Sequence, residues 1–196
     1  MSIDGRKITS KTILVTQPQP SDASEIEVLY RLVIQDTFNK NGINESYPNE
    51  IEDEVDGKMS NLKDEFHLIA KVGGVIAGII GIGKVNEDIT KNYPATLLTN
   101  EVEVKNVYVL PNFQSRGIGS MLFAEAVEEL KKRKIEYFYL DSGFKLAQNY
   151  WKHKLGEPTV VKKNYFDQSE HYMIWKCAVA GLPYGGGKEI RTLTLF

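Results

Sequence analysis

Gln114-Ser115-Arg116-Gly117-Ile118-Gly119-Ser120 follows a β-rich run ending at Pro111 and opens an amphipathic stretch, an order that suits an anion-binding strand, loop and helix start. Gly117 and Gly119 carry no side chain, so a ligand can approach the backbone closely, and the unpaired N–H groups and dipole of a helix start favour phosphate oxygens. Gln114, Ser115, Arg116 and Ser120 add polar contacts, with Arg116 the charged one. The same residues also describe a plain glycine-containing turn between strand and helix. A second glycine pattern, Gly78-Ile-Ile-Gly-Ile-Gly83-Lys84-Val85, mimics a triphosphate-binding loop. Val85 stands where the Mg²⁺-binding hydroxyl belongs and the run is strand-like, so that reading is rejected.

These residues need a scaffold, and the periodicities supply one. Thr12–Gln17 reads as a strand, followed by a helix with Ile26, Leu29, Tyr30 and Val33 along one face and a capping box expected from Asp22 and Glu25. A second helical face carries Ile51, Val55, Met59 and Leu62. Glu65–Val72 and Val75–Val85 flank Gly73-Gly74, a hairpin signal. A loop through Asn92-Tyr93-Pro94 leads to a long strand, Thr99–Leu110. The helix after Gly119 buries Ile118, Met121, Leu122, Ala126 and Leu130. Ile135–Leu140 is a strand, Asp141-Ser142-Gly143 a turn, and Phe144, Ala147, Trp151 and Leu155 form a helical stripe that stops at Gly156. Thr159–Lys163 and Tyr172–Cys177 are the last strands. The class is α/β (α+β), a mixed sheet with helices on it. An N-terminal arm (1–11), one domain (12–178) and a Gly-rich tail (179–196) are expected, the tail being either disordered or a strand added to a neighbour, since Leu193 and Leu195 alternate with threonines.

With 196 residues, 42% of them hydrophobic, the chain can bury one full core. A net charge of −2 argues against a nucleic-acid partner. Lys131-Lys-Arg-Lys134 falls at a helix C-terminus, where cations favour the dipole. The single cysteine, Cys177, excludes an intrachain disulfide, and His67, His153 and His171 lack metal-ligand spacing, so no metal is expected. No apolar run is long enough to cross a bilayer, and the location expected is cytoplasmic. From Asn41 to Glu65 eight carboxylates (Glu45, Glu50, Glu52, Asp53, Glu54, Asp56, Asp64, Glu65) face only Lys58 and Lys63. They describe either a solvated helix face or an acidic wall that draws a cationic amine.

Taken with this element order, Val109-Leu-Pro111 and Gln114-Ser-Arg-Gly-Ile-Gly119 resemble motif A of the Gcn5-related N-acetyltransferases, and the resemblance extends over about residues 12–177. It implies the acyl-CoA N-acyltransferase fold, a mostly antiparallel sheet of about seven strands flanked by helices, and acetyl transfer from acetyl-CoA to an amine in a ternary complex. It further implies a pyrophosphate on the N–H groups from Gln114 to Ser120. The pantetheine would pair with the backbone of Val107 and Val109, and the Val109 N–H would face the oxyanion. Glu103 matches the general base, with Glu101 second, and a β-bulge would change which of them faces the cleft. The family's acid is a tyrosine on the helix after the fifth strand. Here Trp151 occupies that register, and Tyr150, one position early and about 100° round the helix, is the acid named. Asn149 is a candidate pantetheine partner and Ser142 fills a position where the family often has asparagine. Tyr30, Phe38, Tyr47 and Tyr93 are candidates for the acceptor pocket or for the core. An acyl-CoA-binding module with weak or no catalysis is the alternative, and a homodimer is left open.

Overall fold

Two apolar runs joined by Gly73-Gly74 can close only if the turn accepts left-handed backbone, and the two glycines take φ of 59° and 89° there. The computed structural model describes residues 9–43, 49–93, 101–166, 170–182 and 192–195. The elements are β1 (Thr9–Thr16), α1 (Ala23–Asn41), α2 (Glu50–Asp64), β2 (Phe66–Val72), β3 (Val75–Lys84), α3 (Glu87–Asn92), β4 (Val102–Val109), α4 (Ile118–Lys132), β5 (Tyr137–Ser142), α5 (Lys145–Leu155), β6 (Val160–Lys162), β7 (Tyr172–Ala178) and β8 (Thr192–Leu195). They form a mixed sheet of order β6-β7-β5-β4-β3-β2-β1, with β8 paired outside β1. Every pairing is antiparallel except β4 with β5.

Both faces of the sheet are covered, which is why β2 and β3 read as continuous apolar runs. On one face α4 and α5 pack Leu122, Phe123 and Trp151 against Phe138 and Trp175. On the other, α1 and α2 bring Ile26, Leu29 and Val55 onto Ile69, Ile76 and Ile79, and a smaller cluster joins Ile89 and Tyr93 to Tyr139 and Tyr172.

Several expectations are corrected. Asp22 and Glu25 form no reciprocal box on α1. Asp22 accepts the Gln19 N–H (2.9 Å) and the Lys71 ammonium (2.7 Å), while Glu25 accepts the Ile76 N–H of β3 (2.7 Å), so both carboxylates tie α1 to its surroundings. A short helix, α3, replaces part of the expected loop; Asn86 caps it by accepting the Ile89 N–H, with Glu87 and Asp88 in its first turn. Asp141 and Ser142 lie in β5, paired with Ile174 and Met173, not in a turn. Phe144 precedes α5 and is exposed, so Ala147, Trp151 and Leu155 carry the apolar stripe without it. The first strand begins at Thr9, and the tail contributes β8, which pairs Thr9–Thr12 with Leu195–Thr192. Glu45, Tyr47, Pro48, Pro94 and the triple glycine of the tail lie outside the described residues.

The feature that matters most for the site is in β4. Ile79 pairs with Tyr108 but Gly81 pairs with Lys105, so Asn106 and Val107 together oppose Ile80. Asn106 takes a φ of 53°, and this bulge reverses the alternation of side chains. Val102 and Val104 before it and Val107 and Val109 after it all pack toward α4, while Glu103 and Lys105, then Tyr108 and Leu110, lie on the α1/α2/α3 face. Pairing with β5 extends only over Val102 and Glu103, beyond which the two parallel strands part.

The first turn of α4 sits directly on β3 at Gly78. A Cβ there would lie 2.9 Å from the Tyr108 carbonyl oxygen, 3.0 Å from Leu122 and 3.2 Å from Ile118. Gly78→Ala is therefore expected to destabilise the fold by about 1–3 kcal/mol, read as a lower denaturant midpoint at unchanged slope.

Candidate functional site

A helix start exposes N–H groups only if nothing local claims them, and here little does. Ser115 and Gly117 both adopt left-handed backbone (φ 58° and 82°), and Gly117 is the residue before α4. The first bond into the helix runs from the Met121 N–H to the Gly117 carbonyl (3.0 Å), which leaves the N–H groups of Ile118, Gly119 and Ser120 without helical partners. Gln114 shapes the loop: its N–H donates to the Pro111 carbonyl (3.2 Å), its amide nitrogen to the Val109 carbonyl (3.0 Å), and its amide oxygen accepts from Lys40 (3.1 Å). Arg116 is exposed. At Gly119 a Cβ would meet only Val109 at 3.7 Å and the Tyr150 hydroxyl at 3.8 Å, ordinary contacts. Packing within the protein does not demand glycine there, whereas close approach of a ligand does.

Helix α5 faces this loop. Trp151 is buried against Phe123 (ring centroids 5.4 Å apart), which turns the neighbouring Tyr150 outward, 39% exposed, with its hydroxyl 3.2 Å from Ser120 Oγ. The one-residue offset in the sequence thus places tryptophan in the core and tyrosine over the start of α4. Lys154, one turn beyond Tyr150, donates to the same Ser120 Oγ at 3.2 Å. Its ammonium also lies over the rings of Tyr150 (5.7 Å) and Phe123 (5.2 Å), so a cation stands beside the start of α4. Sequence reasoning missed it, although its i, i+4 spacing from Tyr150 was a usable signal. Asn149 is exposed, while Gln148 is buried and donates to the carbonyls of Ser142 (3.1 Å) and His171 (2.6 Å).

The parted strands leave backbone groups free as well. The Leu110 N–H donates to Ala77 on β3 (2.9 Å), so by alternation the N–H groups of Val109 and Val107 point toward β5, which has already diverged.

Across the sheet lies a buried carboxylate. Glu103, 2% exposed, accepts from the Asn86 N–H (2.8 Å) and the Asn86 amide nitrogen (3.2 Å), and Lys105 stands 3.4 Å away. Burial pushes its pKa up to about 8; the neighbouring Asp141 charge adds to the shift and Lys105 opposes it. Glu101 is held instead in an ion pair with Lys176 (2.6 Å). Tyr30 Oη, Glu65 Oε2 and His67 Nε2, on the α1/α2 side, are buried and have no hydrogen-bond partner among the described residues. Tyr30, Phe38 and Tyr93 are core residues. Along α2, Glu50, Asp53, Glu54, Lys58, Ser60 and Asn61 line an open groove of about 710 Å³. Burial pushes the Cys177 thiol up to about 12, so it is no nucleophile at neutral pH. Among the described residues no cluster of His, Cys, Asp and Glu suits a metal ion, and no helix is long and apolar enough to cross a membrane.

Residues 29–156 match the Acetyltransferase (GNAT) family. An uncharacterized N-acetyltransferase from Lactobacillus delbrueckii subsp. lactis is 27% identical over 122 residues, 60% of this chain and 67% of that protein. Ribosomal-protein-alanine N-acetyltransferase from Brucella melitensis superposes with a TM-score of 0.61 at 20% identity, covering 84% of this chain and 99% of that one. The PaiA N-acetyltransferase of Thermoplasma acidophilum, solved in complex with coenzyme A, gives 0.60 at 18% identity over 84% and 99%. At these identities the structures establish a shared fold.

The buried Glu103 sets a pH dependence of stability. Its carboxyl holds a proton more tightly folded than unfolded, so stability is full below the ordinary glutamate range near ~4.3 and falls as pH rises toward about 8. Chemical denaturation is expected to show this decline, and Glu103→Gln to flatten it.

Proposed function

Because the chain belongs to the GNAT acetyltransferase family, we propose that it moves an acetyl group from acetyl-CoA to an amine acceptor by direct attack within a ternary complex. One observation carries this reading: β4 and β5 part beyond Glu103 with the Val107 and Val109 N–H groups directed toward the gap, the open start of α4 and the Tyr150 hydroxyl on one face of β4, and the buried Glu103 on the other.

The donor side fits a pantetheine pyrophosphate. N–H groups from Ser115 to Ser120 cradle the phosphates, with Gln114 bracing the loop and Arg116 and Lys154 supplying positive charge. Gly117 supplies the left-handed turn and Gly119 the bare surface for close approach. The backbone of Val107 and Val109 pairs with the pantetheine amides as an added strand would, and the Val109 N–H faces the thioester carbonyl, where it stabilises the developing oxyanion. Asn149 adds a polar contact to the arm. Acetyl-CoA itself supplies the activated acyl group.

Glu103 takes the proton of the acceptor ammonium, directly or through water. Its raised proton affinity makes it a stronger base than an ordinary glutamate, and the rate is expected to rise with pH through about 8 as it ionises. Tyr150 returns a proton to the departing thiolate. A thiol with a pKa of roughly 8.5 leaves readily, so this assistance is the smaller of the two. The acidic lining of the α2 groove favours a cationic acceptor: a polyamine, an aminoglycoside, a lysine or a peptide N-terminus.

Incubating acetyl-CoA with that panel of amines should release free thiol. Glu103→Gln should lower kcat by about 10²- to 10⁴-fold, and Tyr150→Phe by about tenfold, both with unchanged acetyl-CoA affinity. Gly119→Leu should weaken acetyl-CoA binding by at least about tenfold, roughly 1.4 kcal/mol, while the melting transition stays in place. If acetyl-CoA does not bind, or binds Gly119→Leu as well as wild type by calorimetry, the donor site is misassigned.

A further inference from the structure

Asp141 takes no part in the transfer described above, yet it is joined to Glu103 by a single side chain. The Asn86 amide nitrogen donates to Glu103 Oε1 at 3.2 Å and to Asp141 Oδ2 at 2.7 Å, which uses both of its hydrogens. Its orientation is fixed, because Asn86 Oδ1 accepts the Ile89 N–H (2.8 Å) that caps α3. The Tyr172 hydroxyl closes the group from β7 with a 2.5 Å hydrogen bond to the same Asp141 Oδ2. Two carboxylates from β4 and β5 thus share one bridging amide beneath the point where those strands part.

The charges around the pair leave it under-neutralised. Lys105 is the near cation, and it is divided between Glu65 Oε1 (3.0 Å), the Lys84 carbonyl (2.7 Å) and Glu103 Oε2 (3.4 Å). His67 sits beside Lys105, buried, and its pKa is held down by that burial. Asp88, on α3, accepts from the Tyr165 hydroxyl at 3.0 Å and adds a further negative charge. Among the described residues Asp141 has hydrogen bonds but no ion pair.

We propose that Asp141 is a positioning residue for the reaction: through the bridging Asn86 amide it holds the Glu103 carboxylate in place, with a second negative charge beside it. This rests on Glu103 being the base. Like charges this close disfavour joint ionisation, so Asp141 raises the proton affinity of Glu103 in step with its burial. The geometry offers a clean perturbation. Both donors to Asp141 reach one oxygen, so the carboxamide oxygen of Asp141→Asn can accept both while the charge is lost.

The test is a carboxyl titration of the full chain carrying ¹³C-labelled Glu and Asp side chains, followed by NMR, with the Glu103 signal identified by its loss in Glu103→Gln. The wild-type midpoint is expected at about 8. In Asp141→Asn it should fall by about one pH unit or more, and the pH limb of kcat/KM should move with it. Asp141→Ser, also neutral, serves if the first variant does not fold. A purely structural Asp141 would leave the midpoint where it is, and an unmoved midpoint in a folded neutral variant overturns the proposal. A pH limb that survives in Glu103→Gln overturns instead the assignment of the base.

Discussion

One extra residue in β4 governs the rest of this molecule. With Asn106 in left-handed backbone, two residues face one on β3, and the strand changes hands midway. Before the bulge it pairs with β5 and directs Glu103 and Lys105 to the α1/α2/α3 face; after it, valines still meet α4 while the N–H groups of Val107 and Val109 point toward the side from which β5 has parted. Without the bulge, strict alternation would carry Glu103, Lys105 and Val107 to one face and put Tyr108 among the α4 contacts.

The glycines of β3 serve this arrangement. Gly78 lets α4 close on the sheet, and Gly81 and Gly83 leave room where Cβ atoms would collide with His67 and Glu65. The run that mimics a triphosphate loop is thus a packing pattern, with its absent side chains spent on a helix seat and on buried polar groups from β2. Those polar groups continue through Lys105 and Glu103 to Asn86 and Asp141, a row of charge beneath the acidic helices. Desolvation makes such a row costly unless each member is bonded, and most of these atoms are. The cost appears as the raised pKa of Glu103, which is also what suits it to accept a proton.

Helix α5 shows how packing settles a register that spacing left ambiguous. Two adjacent aromatics cannot share one face of a helix. Burial of Trp151 against Phe123 leaves Tyr150 to the cleft, where it meets Ser120 and Lys154. The larger indole fills the core; the phenol keeps its polar end wet.

The hairpin, the amphipathic helices and the glycine loop at the head of α4 were legible in the sequence alone, because each depends on local spacing: a left-handed turn at Gly73-Gly74, an apolar stripe from Ile118 to Leu130, and two bare positions beside Arg116. The family resemblance rested on that loop together with the order of elements around it. What spacing could not supply was anything made by distant segments meeting. Asp141 lay in an expected turn until pairing with β7 drew it into a strand, and Asn86 lay in an expected loop until it capped α3 and reached both carboxylates. Asp22 and Glu25 had the spacing of a local cap but were bonded by Lys71 and the Ile76 N–H, tens of residues away. Chain-local geometry determined which loop could hold an anion; only tertiary packing, through burial, decided which carboxylate holds its proton more tightly and which side chain bridges it to Asp141.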